Sequence, residues 1–493
     1  MYYILDALRL KDKKEAHEYL SESMHFPEHY GKNLDALYDC LRELKDVFVW
    51  FTHAEEAKDT YFEKVYQTFR EAAEDNRSFF VFDDEIQNRP ITVLQGENFE
   101  RLVKCMERAA RGEELTIGFL GGSITQGAVV SKDEFMYAYR SYEWWVKNFP
   151  QATFHYVNGG IGGTSSHFGV ARAQKDLVMY QPDVVVVDFS VNDVVDDDCP
   201  DPLLQETYEG LMRKILKAPS KPAVVALYNV FFDTGMTAEE MHMAVNKQYG
   251  ISGASMKDSI YAQLQKGCIY RLAMSHDGLH PNDLGHEMVA YEVCRVFEVA
   301  KKEMEMRAEE TTDGLLQFEG FAAESDAEGA SEDTLHSSGS VNTSHSFVDD
   351  ITPLTANMYE NAVLHTITNT APALHGFRAD ADEKKGHLDC FKNGWIGRKV
   401  GDKITFTIDC RCLAVQYRKT IHKPSPIARL VIDGDETNAV ILDGNFDQTW
   451  GDCLYLERIL HHDEQKTRVI TIEIIEATKE DKNPFYLLAL ITA

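Results

Sequence analysis

Long apolar segments are missing from this sequence. No apolar run reaches the roughly 18 residues that a membrane-spanning helix needs. The first six residues, from Met1 to Asp6, also lack the basic residues and the apolar stretch of a secretory signal. We therefore expect a soluble chain, with no membrane partner, that stays in the cytoplasm.

Basic residues are few relative to acidic ones, and the cysteines lack the spacing of a disulfide-rich protein. The chain has 50 Lys and Arg against 80 Asp and Glu, a net charge of −30, so most of its surface should repel nucleic acid. Its 9 cysteines are odd in number and have no repeated close spacing. This pattern favours reduced thiols over a disulfide framework.

Several domains are expected, because 493 residues with 44% hydrophobic content exceed one ordinary domain. Residues 1–85 mix helical and strand patterns and predict a small α/β domain. Residues 86–305 alternate amphipathic helices with apolar runs at 115–120, 184–189 and 223–228, which indicates a parallel sheet buried on both faces.

The remaining sequence predicts a linker and an all-β domain. Residues 301–340 hold 11 acidic and 3 basic residues with many small ones, so we assign an acidic linker to 306–340. From 341 to 493, apolar residues alternate with period two and are interrupted by Asp-Gly and Asn-Gly pairs. That pattern is typical of a β-sandwich.

A candidate nucleophile follows the first buried strand. Ser123 lies in the glycine-rich turn 121–125, Gly-Gly-Ser-Ile-Thr, where a parallel strand would end at the sheet's crevice. The turn lacks the spacing of a dinucleotide or P-loop motif. Far downstream, Asp277 and His280 are three residues apart, which lets a carboxylate orient an imidazole that faces a hydroxyl.

With two further segments, the sequence resembles the SGNH or GDSL-like hydrolases. The four blocks are 121–125, the glycine block 158–164, the asparagine block 190–193 (Ser-Val-Asn-Asp) and 277–281 (Asp-Gly-Leu-His-Pro). The resemblance implies a three-layer α/β core with Ser123 as nucleophile, His280 as general base and Asp277 as its orienting acid. It also implies an oxyanion hole formed by the backbone N–H groups of Ser123 and Gly163 and by the Asn192 amide.

The Gly-Gly-Ser-Ile-Thr variant is similar to the carbohydrate-deacetylating branch of that family. The resemblance implies an esterase that removes acetyl groups from oligosaccharides through an acetyl-serine, with no metal and no dissociable cofactor. Two alternatives remain: a lipase or thioesterase of the same fold, and a binding protein whose hydrolase domain is silent.

The first domain resembles barstar, a ribonuclease inhibitor, through residues 26–41. That resemblance implies an acidic face of Asp35, Asp39 and Glu71 that would bind a basic protein. Residues 1–85 hold 20 acidic and 11 basic side chains, a net charge of −9, which agrees with such a partner. The favoured interpretation from the sequence is instead a module recruited for stability or other interactions, because an inhibitor fused to an esterase has no evident advantage and His29 stands where barstars often carry Tyr.

Several other side chains are of types that bind sugars or metal ions. Trp395 and Trp450 lie in segments rich in aromatic and amide side chains that suit sugar binding, although each alone could be a core residue. The acidic run Asp196, Asp197, Asp198 is predicted to be a solvated loop. Four cysteines of the last domain could bind zinc, but core packing is favoured for them: Cys390, Cys410, Cys412 and Cys453. Four histidines are expected to be surface or structural residues: His276, His286, His461 and His462.

Overall fold

The computed structural model of the chain describes residues 2–45, 47–76, 79–83, 93–194, 201–265, 271–319, 346–386 and 388–493. The acidic run at 196–198 and the linker residues 320–340 lie outside the described residues. Among the helices that are described, none is long and apolar enough to cross a membrane.

The N-terminal domain is a three-stranded parallel sheet with helices. The strands are β1 (Tyr2–Asp6), β2 (Val47–Thr52) and β3 (Phe79–Asp83), in the order β1-β2-β3. The helices are α1 (Lys13–Ser23), α2 (Leu34–Arg42) and α3 (Tyr61–Asp75). Asp12 and Asn33 start α1 and α2 by accepting hydrogen bonds from backbone amides of the first turn.

The central domain is built on a five-stranded parallel sheet in the order β5-β4-β6-β7-β8. Its strands are β4 (Glu114–Gly121), β5 (Thr153–Gly160), β6 (Val184–Asp188), β7 (Ala223–Tyr228) and β8 (Gly253–Ser255). β6 and β7 are buried along their whole length. Helices cover both faces of the sheet, which explains why these two strands have a continuous apolar sequence.

Nine helices are described in the central domain. They are α4 (Glu97–Ala110), α5 (Ser123–Gln126), α6 (Tyr137–Asn148), α7 (Ser166–Asp176), α8 (Pro202–Leu216), α9 (Glu239–Gln248), α10 (Ala262–Gln265), α11 (Arg271–Met274) and α12 (Asp283–Glu319). The Trp50 ring on β2 packs edge-on against Tyr291 of α12 at 4.9 Å between centroids, which joins the first two domains.

Helix α12 continues beyond residue 306, where the sequence predicts the linker to start. The basic residue at its start is paired with acidic ones: Arg307 lies 2.8 Å from Glu303 of the same helix and 2.8 Å from Glu100 of α4. Pairs one helical turn apart support a helix, so the acidic composition does not end it here. The domain boundaries otherwise remain predictions.

The C-terminal domain consists of two antiparallel sheets packed face to face. One contains β10 (Ala373–His375), β13 (Lys403–Cys410), β18 (Lys466–Glu476), β15 (Ile427–Ile432) and β16 (Val440–Asp443). The other contains β11 (Arg378–Ala379), β12 (Trp395–Gly397), β19 (Phe485–Thr492), β14 (Leu413–Lys419) and β17 (Cys453–Leu460), with β9 (Val363–His365) paired to β19. The three domains confirm the predicted fold class.

The sandwich and the central domain share a packed interface. Phe168 of α7 belongs to one apolar cluster with Leu454 and Ile491 of the sandwich. The chain segment before β9 also packs on the central domain, where Glu360 accepts a 2.7 Å hydrogen bond from Arg213 of α8. These contacts fix the sandwich beside the carboxyl ends of the central strands.

Candidate active site

Ser123 is placed at the carboxyl edge of the central sheet. It is the first residue of α5, immediately after β4 and Gly122. Its Oγ lies 2.9 Å from Nε2 of His280, which comes from the loop before α12. The structure thus brings together two side chains that are 157 positions apart in sequence.

Asp277 completes a chain of hydrogen bonds. Its Oδ2 lies 2.6 Å from Nδ1 of His280, while its Oδ1 accepts the backbone N–H groups of Leu279 (2.9 Å) and His280 (2.8 Å). Partial burial raises the pKa of Asp277, but the hydrogen bonds from His280 and the two amides outweigh it and lower the pKa to about 2. The carboxylate is therefore ionised at neutral pH and holds Nε2 of His280 toward Ser123.

Three N–H donors lie around Ser123 without an acceptor among the described residues: the backbone amides of Ser123 and Gly163, and the Asn192 side chain. The Asn192 amide lies against Gly122, where an added Cβ would be 2.0 Å from its Oδ1. Only glycine allows this approach. The neighbouring Gly162 N–H donates to Gln126 Oε1 at 2.6 Å, so of these two glycines Gly163 is the one with a free N–H.

A buried pair that the sequence did not reveal supports the asparagine block. Asp193 Oδ2 lies 2.9 Å from Nε2 of His242, and its Oδ1 accepts the Ser166 N–H at the start of α7. The Tyr208 ring stacks on His242 with centroids 3.6 Å apart. Asp193 was visible in the motif, but His242 of α9 carries no sequence signal.

A second buried carboxylate lies under the Ser123 turn. Asp188 Oδ2 accepts hydrogen bonds from Asn229 (2.9 Å) and from Thr125 Oγ1 (3.4 Å). Complete burial raises the pKa of Asp188 to about 7 despite these bonds. Its backbone oxygen also accepts the Gly122 N–H, so the residue fixes the turn that carries Ser123.

His286 is a buried histidine on the helix that follows His280. Its Nδ1 accepts the backbone N–H of Tyr137 at 3.1 Å, which requires an unprotonated Nδ1. Burial lowers its pKa from 6.5 to about 4, although the Ala128 carbonyl and Asp283 act in the opposite direction.

Acid should therefore destabilise the fold through His286. Between about pH 6.5 and 4 the unfolded chain binds a proton at this residue that the folded chain does not, which removes up to about 3 kcal/mol of stability. Thermal unfolding across this pH range should show a shallower loss of Tm in His286→Asn, which keeps an acceptor near Nδ1. The exposed control His375→Ala should match wild type, and equal slopes for all three proteins would contradict the assignment.

The two candidate sugar-binding tryptophans have different environments. Trp450 is 61% exposed, and its ring lies 3.7 Å from the position of a Cβ on Gly163. Trp395 is 1% exposed and packs edge-on against Phe406 inside the sandwich, so the prediction that it binds substrate is wrong. A tryptophan that fills a β-sandwich core cannot stack on a sugar.

The candidate acidic face forms one groove of about 1030 Å³ between α2 and α3, lined by Asp35, Asp39 and Glu71. Two further carboxylates and two lysines also line it: Glu55, Glu63, Lys58 and Lys64. The three predicted residues are exposed.

The seven cysteines in the described part of the chain are free thiols, and Cys410 and Cys412 are both buried.

Comparison with known proteins finds relatives of the first two domains and of the chain as a whole. Residues 1–84 match the barstar (barnase inhibitor) family, and residues 119–288 match the GDSL-like lipase/acylhydrolase family. A two-domain esterase active on acetylated mannans is 39% identical, with a TM-score of 0.69, and the match covers 83% of this chain and 97% of the other. That esterase also has a second crystal structure, with the same identity and TM-score.

An acetylxylan esterase from Geobacillus stearothermophilus is 19% identical, with a TM-score of 0.32 over 38% of this chain and 96% of the other. The identity and coverage of the two-domain esterase establish the relationship. This chain belongs to the GDSL-like lipase/acylhydrolase family and is a carboxylic ester hydrolase that carries a barstar-like domain at its N-terminus and a β-sandwich at its C-terminus.

Proposed function

We propose that this protein removes acetyl groups from mannan-type oligosaccharides through an acetyl-Ser123 intermediate. The observation that carries the proposal is the hydrogen-bonded chain from Ser123 to His280 to Asp277 beside three unpaired donors. The substrate class is supported by the 39% identical esterase, which acts on acetylated mannans and has been crystallised with mannopentaose.

In the first half of the reaction, His280 Nε2 takes the proton of Ser123 as Oγ attacks the acetyl carbonyl carbon. The imidazolium that forms is stabilised by ionised Asp277 at Nδ1. His280 then returns the proton to the sugar oxygen as the C–O bond breaks. The products are a free sugar hydroxyl and acetyl-Ser123.

In the second half, water attacks acetyl-Ser123 while His280 takes one of its protons, and the serine leaves with that proton as acetate is released. Both tetrahedral intermediates place a negative charge on the former carbonyl oxygen. The Ser123 and Gly163 amides and the Asn192 side chain would donate to it. Preorganised donors of this kind stabilise a transition state more than the ground state, because the charge develops only there.

The sandwich supplies Trp450 to the rim of this site. An exposed indole next to the oxyanion donor Gly163 offers an apolar face to a sugar ring, and the Phe446 ring packs nearly perpendicular to it with centroids 5.0 Å apart. A small ester would not reach far enough to use this surface. Trp450 should therefore affect oligosaccharides selectively.

Trp450→Ala should raise KM for acetylated manno-oligosaccharides by about 10-fold or more, in line with the loss of one aromatic stacking contact. KM for a small chromogenic acetate should change little. Acetate release and chromophore release from the same preparations measure the two values. Trp450→Phe, which keeps an aromatic face, is the matched variant.

The same assay separates the proposal from its alternatives. Wild-type enzyme should release acetate from acetylated manno-oligosaccharides and prefer a chromogenic acetate to a chromogenic octanoate. A preference for octanoate would support the lipase reading. Full activity on small acetates with none on acetylated mannan or its oligosaccharides would overturn the substrate class but leave the esterase intact.

We also propose that the acidic groove of the first domain binds a basic protein. Five carboxylates against two lysines give the groove a negative charge, and the barstar family match supports an inhibitor-like surface. A basic secreted bacterial ribonuclease should bind in a salt-dependent manner, measured by calorimetry. Asp39→Lys should abolish this binding, while Glu22→Lys on the exposed side of α1 should not. Binding that is absent or insensitive to Asp39 would leave only the stabilising role.

A further inference from the structure

Two adjacent histidines of the sandwich lie against a buried glutamate of the central domain. His461 and His462 follow β17, and Glu206 belongs to α8 and is 2% exposed. Glu206 Oε2 lies 2.7 Å from Nε2 of His462 and 3.8 Å from Nε2 of His461. One ligand-type atom from each residue falls within 4.8 Å of the others.

We propose that Glu206, His461 and His462 form a binding site for a divalent transition-metal ion, with Zn²⁺ as the best fit, that links the sandwich to the central domain. Two imidazole nitrogens and one carboxylate oxygen are a common zinc donor set, and a water molecule would complete a tetrahedron. Calcium and magnesium prefer all-oxygen sites, so the two histidines disfavour them.

The distances between the ligand atoms require only a small movement of the side chains when an ion binds. Zinc bonds of about 2.0–2.1 Å place neighbouring tetrahedral ligands roughly 3.3 Å apart. The two observed separations from Glu206 Oε2, 2.7 and 3.8 Å, lie on either side of that value. The histidine side chains are 38% and 41% exposed, so an ion and its water can enter from solvent.

Neighbouring groups already orient two of the three ligands. Glu206 Oε1 accepts the Met358 N–H at 2.8 Å, which leaves Oε2 for the ion. The Tyr359 hydroxyl lies 3.2 Å from Nδ1 of His461, which leaves Nε2 toward Glu206. Metal-binding histidines characteristically have such a partner at the second ring nitrogen.

The charge of the cluster also favours a cation. Glu206 is a buried carboxylate, and a buried charge needs compensation. The two imidazole rings have centroids only 4.0 Å apart, so two imidazolium groups would repel each other. A dication held by two neutral imidazoles places positive charge beside the carboxylate without that repulsion.

The site would stabilise the interface between the domains, separately from the chemistry at Ser123. Strand β17 begins three residues after Trp450 and ends immediately before His461. An ion at the far end of β17 would anchor this strand, which follows the Trp450 loop, to α8. The site therefore goes beyond the proposed esterase function and does not depend on it.

Calorimetry and thermal unfolding of the full-length protein, first freed of metal with a chelator, test the proposal. Zn²⁺ should bind at one ion per chain and raise Tm by about 5 °C at concentrations well above Kd. His461→Ala and His462→Ala should each weaken binding by about 100-fold or more. The control His375→Ala, an exposed histidine on β10, should bind as wild type does.

Two further measurements keep a folding defect from being mistaken for a lost ligand. Co²⁺ in place of Zn²⁺ should give the visible absorption of a tetrahedral site in wild type and not in the ligand variants, all of which should retain activity on a small acetate. Tyr359→Phe keeps every ligand and should weaken binding by about 10-fold. Absence of saturable Zn²⁺ binding in wild type, or wild-type affinity in both histidine variants, would overturn the proposal.

Discussion

Ser123→Ala should lower kcat for acetyl ester hydrolysis by about 10³-fold or more, because it removes the hydroxyl that contacts Nε2 of His280. The hydroxyl's contact with Nε2 of His280 is a single hydrogen bond at the edge of the sheet, so Tm should change little. Steady-state rates on a chromogenic acetate and a thermal unfolding curve give both numbers.

A matched serine provides the control. Ser131 lies eight residues further along, and its hydroxyl contacts Asp283 at 2.6 Å instead of His280. Ser131→Ala should keep a kcat close to wild type. Wild-type turnover by Ser123→Ala would remove Ser123 from the reaction, and an equal loss in both variants would point to disturbance of the surrounding loops.

Asn192→Ala should lower kcat by about 10²–10³-fold with little change in KM, because the amide donates to a charge that exists only in the transition state. Asn192 lies against Gly122 and has an unpaired side-chain N–H group among the described residues, so removing it disturbs few ground-state contacts. Pre-steady-state and steady-state kinetics on the same acetate separate kcat from KM.

Asn192→Asp tests the same donor by a different change. The carboxylate has nearly the same shape, but it cannot donate and would repel the oxyanion. Its loss of kcat should be at least as large as that of the alanine variant. A loss confined to KM in both variants would make Asn192 a substrate-binding residue instead of an oxyanion donor.

The sequence was most informative where a local pattern determines local structure. The continuous apolar runs of β6 and β7 predict strands buried on both faces, and the period-two pattern of β18 predicts a sandwich strand. The spacing of Asp277 and His280 likewise predicts their hydrogen bond, since three residues in one turn lie close together. The fold class and the ester hydrolase prediction are confirmed.

Residues that meet only in the folded chain could not be predicted in this way. His242 and Asp193 are 49 positions apart, and Glu206 and His462 are 256 apart, so neither pair leaves a local pattern. Trp395 and Trp450 occur in similar sequence surroundings, yet one fills a core and the other borders the site. Composition also does not show that Arg307 of α12 pairs with Glu100.

The acetyl group on Ser123 is the most direct test of the proposed mechanism. Wild-type enzyme mixed with a reactive acetyl ester, quenched in acid and digested, should yield the peptide containing Ser123 with one added acetyl group by mass spectrometry. The label should disappear on longer incubation as water releases acetate, and it should be absent from Ser123→Ala. An acetyl group on a residue other than Ser123 would contradict this mechanism. So would turnover of a saturating substrate, under conditions where deacylation limits the rate, that leaves no acetylated peptide at any quench time.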